Sequence, residues 1–257
     1  MKTVKFSRLW LTILALSVSG MMLETAAYRQ WRLYLRMDAL HIILPLVMAG
    51  LAAGAIIFYI VHRFSVFTRI SRRPSPRDDC ISGSLAAYAL LSPLPFLLLP
   101  SDAGASAANP HAAASLLLLW FLFGVWGYVT ADLFERGHAT IFRLYTANLI
   151  GTISGGTIAV AAMNVYGTAR VVSLCIAAAL ITAGIWILSV PALERSRKLF
   201  MAAVIVCGIV SAFMIPPGEV ILFRKGEPPV WFAANSFSQL EMYPVSIPEV
   251  LRAPGSQ

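Results

Sequence analysis

Charged side chains are scarce in this sequence, making up 12% of 257 residues against 58% hydrophobic. Soluble domains carry roughly a quarter charged residues, so this chain lacks the polar surface to cover a water-soluble globule. Signatures of nucleotide binding and hydrolysis are missing as well. No GxGxxG follows a strand-like run, and neither GxxxxGKS/T nor GxSxG occurs. The GTISGG at Gly151–Gly156 is embedded in an apolar run with no strand before it, which excludes a phosphate loop. Cysteine is confined to Cys80, Cys175 and Cys207 with no CxxC, so neither a disulfide framework nor a thiolate metal site is indicated. His41, His62 and His111 are scattered without HExxH-type spacing. No metal and no other cofactor is expected.

What charge there is has a pattern. The net charge of +8 would suit a nucleic-acid surface, but the basic residues sit in short segments between apolar runs. Arg63, Arg69, Arg72, Arg73 and Arg77 form one such group, and Arg195, Arg197 and Lys198 another. That placement follows the positive-inside rule of membrane proteins. No soluble segment interleaves aromatic and basic residues, so nucleic acid is excluded as a partner.

A membrane helix needs about 20 mainly apolar residues, because backbone polar groups in lipid must be satisfied within the segment. Seven runs qualify, at 7–27, 40–62, 82–100, 113–133, 144–166, 169–191 and 198–216. Pro93 and Pro95 should kink the third, since each removes a backbone donor. The first run follows Lys2, Lys5 and Arg8 and contains Ser17, Ser19 and Gly20, which imitate a signal-peptide cleavage site. Apolar character nevertheless continues to Ala27, long enough to span, so the run is read as a retained helix. The expected fold is therefore an all-α integral membrane bundle of about seven transmembrane helices with a short soluble C-terminal tail.

With the N-terminus inside and seven spans, thirteen Lys and Arg fall on the cytoplasmic side and seven on the other. The expected location is a bacterial cytoplasmic (inner) membrane with a cytoplasmic N-terminus. The segment Ser101–His111 has no Lys or Arg and reads as a non-cytoplasmic connection. The break Pro216–Pro217–Gly218 closes a membrane domain of residues 1–216 and opens a soluble tail, 217–257. Within the tail, Glu219–Phe223 and Gln239–Tyr243 are candidate strands, too few to build a core of their own.

Polar residues inside apolar runs are the candidate functional positions, because each is expensive in lipid. Glu24 is the foremost, with Arg29 five residues on as a partner if the helix loosens between them. Arg143, Tyr145 and Asn148 accompany Asn164 in the fifth run. Gly50 with Gly54, and Gly151 with Gly155, have the GxxxG spacing that lets helix backbones approach closely. Asp132, Glu135, Arg136 and His138 end the fourth run and read as a charged interfacial loop capping that helix.

Three stretches carry a resemblance to a family. Ser19–Gly20–Met21–Met22–Leu23–Glu24 followed by Arg29, and then Ala49–Gly54, are one. Arg143–Gly156, RLYTANLIGTISGG, is the second, and Trp231 followed by Asn235–Glu241, NSFSQLE, the third. Together they resemble the membrane half of the spermidine-synthase-like integral membrane proteins, in which a multi-helix region precedes a polyamine aminopropyltransferase-type domain. The third stretch is similar to the first β-hairpin of that domain. The resemblance implies a Gly-rich loop and acidic residues that bind decarboxylated S-adenosylmethionine and a polyamine. Nothing through Gln257 matches them, so no catalytic residue is carried over and the chain is not expected to be an enzyme by itself.

The expected function is a multipass membrane module of a spermidine-synthase-like protein lacking the catalytic domain. It would anchor a soluble or membrane protein partner, or handle a polyamine-like cation, within the lipid bilayer. A small multipass transporter or a structural subunit of a membrane complex is the alternative. Inverted halves with matching helix breaks would favour the transporter.

Overall fold

Apolar runs punctuated by Pro, Gly and charge set the helix boundaries. The computed structural model describes residues 6–35, 39–63, 75–98, 110–189, 206, 231–234 and 239–242. In chain order these form α1 (Phe6–Leu35), α2 (Leu40–Arg63), α3 (Ser75–Leu91), the short α4 (Leu94–Leu97) and α5 (Pro110–Arg136). A 3-10 turn (His138–Thr140), α6 (Ile141–Ser189), β1 (Trp231–Ala234) and β2 (Gln239–Met242) follow. Among the described residues, six helical stretches are long and apolar enough to cross a membrane. They are Arg8–Arg32, His41–Arg63, Cys80–Leu97, Pro110–Arg136, His138–Thr168 and Arg170–Ile187. The seventh predicted run, apart from Val206, lies outside the described residues, as does the candidate strand 219–223.

Several hydroxyl side chains within these helices are satisfied locally. Thr12 Oγ1 donates to Arg8 O at 2.8 Å, Thr25 Oγ1 to Met21 O at 2.7 Å and Thr182 Oγ1 to Ala178 O at 2.7 Å. Back-bonding of this kind lets a Ser or Thr sit in an apolar helix without an unpaired donor. The predicted proline break is a helix end. α3 stops at Leu91, a turn through Ser92 and Pro93 follows, and α4 begins at Leu94. Ser115 Oγ on α5 donates to Pro95 O at 2.7 Å, so a neighbouring helix satisfies a carbonyl beside the break.

α6 reverses at Gly167, whose φ of 79° and ψ of 174° are non-helical. That region is open essentially only to glycine. Its first arm, 141–166, begins five residues after Arg136, yet Trp186 of the second arm, 168–189, stacks under Arg136. The second arm thus runs back beside the start of the first, which separates the predicted fifth and sixth spans.

Helices pack across the bundle rather than in chain order. α1 lies chiefly against both arms of α6, α2 against α5, and α3 against α6 and α5. Trp31, Tyr88, Phe123 and Trp186 are the largest side chains fully enclosed between them. Glycine makes two crossings tight. A Cβ at Gly151 would meet Leu14 O at 2.5 Å, and one at Gly155 would meet Val18 O at 2.5 Å, on α1. On the other crossing a Cβ at Gly50 would meet Trp120 O at 2.6 Å, and Gly54 lies directly on the Gly124 carbonyl of α5. In the tail, β1 and β2 pair antiparallel, Trp231 opposite Met242 and Ala234 opposite Gln239.

Candidate functional site

The crossing of α1 and α6 holds the first polar contact. Ser17 Oγ donates to Asn148 Oδ1 at 2.7 Å and also reaches Ile13 O at 2.7 Å. Asn148 borders the stripe of Leu144, Ala147 and Gly151 that packs on α1, whereas Arg143 and Tyr145 are exposed. Chain neighbours in the sequence are therefore split between an inner and an outer face by the 100° turn per residue.

Glu24 is half-buried and makes no hydrogen bond or ion pair with the described residues. Arg29 is 3% exposed. The two do not pair, because α1 is unbroken from Phe6 to Leu35. Five residues along a regular helix place them about 140° apart around its axis. The loosening that would have joined them does not occur. Glu24 continues the helical stripe of Leu14, Ser17 and Met21 that faces the glycines of α6.

The acidic and basic end of α5 is more than a capped loop. Arg136 Nε donates to Asp132 Oδ2 at 2.5 Å, and Arg136 Nη1 donates to Asp78 Oδ1 at 2.6 Å. Its guanidinium also sits 5.2 Å from the Trp186 ring centre. One arginine thus ties α3, α5 and the second arm of α6, with Asp132 1% exposed beneath it. The i,i+4 spacing of Asp132 and Arg136 was legible in the sequence. Asp78 and Trp186, distant in the chain, were not. Beside this clasp His62 Nε2 lies 2.9 Å from Glu135 Oε1, both well exposed, and Phe58 stacks on His62. Among the described residues no three His, Cys, Asp or Glu side chains come together as a metal-holding group.

A third polar group sits deep in the bundle. Ser19 Oγ donates to Cys175 O at 3.1 Å, and Cys175 Sγ donates to Ser19 O at 3.3 Å. The enclosed Tyr88 lies beside both. α1, α3 and α6 each supply one member. No signal links the three residues in sequence, since each belongs to a different apolar run. Chemically these arrangements tie helices together, and none of the three polar groups contains a His or Asp/Glu base beside a Ser or Cys nucleophile. Comparison with family models, curated proteins and solved structures finds no match.

Proposed function

We propose that this chain is a multipass module of a bacterial cytoplasmic membrane, N-terminus inside, of the spermidine-synthase-like type. The observation that carries the membrane part is the outer face of α2. Ile56, Ile57, Tyr59 and Ile60 are all exposed on a helix long and apolar enough to span. Water would make a continuous apolar face of that size unfavourable, and hydrocarbon removes the penalty. The basic Arg63, Arg136 and Arg143 share one end of the bundle with the α1 start, which supports an inside N-terminus. The chain produced in cells should resist alkaline carbonate extraction and need detergent for recovery. Monodisperse folded protein from the cytosol without detergent would overturn the reading.

Support for the family resemblance comes from the antiparallel pair Trp231–Ala234 and Gln239–Met242, which spans the NSFSQLE stretch. The module's role in this reading is to anchor a partner and to present Glu24 to a polyamine-like cation. A half-buried carboxylate with no ion pair among the described residues suits an ammonium group better than it suits lipid. In detergent, Glu24→Gln should lower the affinity for radiolabelled spermidine by about tenfold, the equivalent of ~1.4 kcal/mol. Equal binding by both proteins, with both folded, rejects the cation role and leaves the membrane reading standing.

A further inference from the structure

The two glycine crossings are the same contact made twice. At α6 on α1, Gly151 meets Leu14 O and the Ser17 Cβ, and Gly155 meets Val18 O. At α2 on α5, Gly50 meets Trp120 O and the Phe123 Cβ, and Gly54 meets Gly124 O. A single sequence offset carries Leu14, Ser17 and Val18 onto Trp120, Phe123 and Gly124. A second carries Gly50 and Gly54 onto Gly151 and Gly155. The burial pattern obeys the first offset too. Ile13, Leu16 and Leu23 are buried, and so are Leu119, Leu122 and Val129.

The two copies are inverted. Asn148, early in α6, bonds Ser17 in the first half of α1, and the end of α5 leads directly into α6. The start of α1 and the end of α5 are therefore at one end of the bundle, and the helices run antiparallel. A two-fold axis between such copies must pass where a residue touches its own counterpart. The offset that maps Leu14 onto Trp120 maps Gly20 onto Trp126. A Cβ at Gly20 would lie 2.7 Å from the Trp126 ring, so the two counterparts are in contact. The repeat thus predicts its own axis, and the axis is occupied as required.

The helices exchanged by this symmetry define two bodies. One is α1 with α6 and the other is α5 with α2, and α3 bridges them, packing on α6 more than on α5. Consecutive α1 and α2 touch little, whereas each packs broadly within its own body. The seam between the bodies carries Gly20 against Trp126, and Tyr88 beside Ser19 and Cys175. Trp126 Nε1 is buried there with no hydrogen-bond partner among the described residues.

We propose that the chain is an inverted repeat whose two bodies rock about the Gly20–Trp126 contact, opening the Ser19–Tyr88–Cys175 cluster to one membrane face and then to the other. Rocking of inverted repeats around a site at mid-depth is how such folds achieve alternating access. This activity is carrier-like. It needs the bundle to sit in a membrane but is independent of the polyamine reading.

Cys175 reports on it directly. Wild-type protein in right-side-out and inverted vesicles is treated with a membrane-impermeant maleimide, and each cysteine is quantified by peptide mass spectrometry. Exposed Cys80 is the control that reacts from one face only. Cys175 should react from both faces, more slowly than Cys80. Reaction from a single face, or from neither, overturns the proposal. Gly20→Ala, which pushes a methyl into the Trp126 ring, should raise the rate from one face and lower it from the other several-fold. A rise from both faces would mean local fraying and would also overturn it.

Discussion

Arg136 joins three helices through one side chain. Its Nε and Nη1 serve two aspartates on different helices while its plane covers Trp186. Only a guanidinium has donors in that fork together with a flat face to stack. Removing one partner of a pair this enclosed leaves a charge without compensation. Arg136→Ala should therefore destabilise the folded protein by about 3 kcal/mol. Arg136→Lys should recover less than half of the loss, because an ammonium cannot hold both carboxylates and the ring together. The exposed His62–Glu135 pair provides the contrast, and His62→Ala should change stability by less than about 1 kcal/mol. Thermal unfolding of the variants in one detergent compares all three. A lysine variant as stable as wild type would show that charge alone, without the fork, closes the clasp.

At the scale of elements, backbone approach governs. Gly54 sits on the Gly124 carbonyl and Gly155 on the Val18 carbonyl, so a larger side chain at either must force two helices apart. Close approach of small residues is a main source of helix association in lipid, where no hydrophobic drive operates between helices. Gly54→Leu and Gly155→Leu should each shift the protein from folded to aggregated fractions on detergent size-exclusion chromatography. Equivalent crossings should give losses of similar size. The reversal in α6 depends on a different property of glycine. At φ 79° a side chain at position 167 is strained whatever space surrounds it. Gly167→Ala should cost about 1–3 kcal/mol, read as a lower thermal midpoint with unchanged helical content by circular dichroism. An unchanged midpoint would mean that the turn relaxes freely to another conformation.

Over the whole molecule, the arrangement separates chain neighbours and joins distant helices. α1 finds its main partners in α6, and α2 finds its partner in α5. Such interleaving means that neither half of the chain encloses its own apolar surface. Expressed alone, residues 1–98 should be degraded or aggregate. Co-expression with residues 110–257 should recover assembled protein, detectable by co-purification through a tag on one fragment. Stable, monodisperse isolation of residues 1–98 alone would contradict the interleaved packing. Among the described residues, the outer faces of α2 and of the first arm of α6 are apolar and exposed, with Ile57 and Ile153 among them. Such surfaces are compatible with contact to a lipid bilayer.

Helical class and most of the helices long and apolar enough to span a membrane were readable from composition and periodicity, because a long apolar run is a property of consecutive residues. Proline at positions 93 and 95, GxxxG at Gly50–Gly54 and Gly151–Gly155, and the spacing of Asp132 and Arg136 were legible for the same reason. Glu24 and Arg29 looked like partners in the sequence, yet the unbroken α1 turns them away from each other. Asp78 under Arg136, Tyr88 beside Cys175, and Gly20 against Trp126 were decided only by the tertiary structure. Contacts between helices depend on which faces meet and in what direction. A one-dimensional pattern specifies the faces but leaves open the helix on the other side.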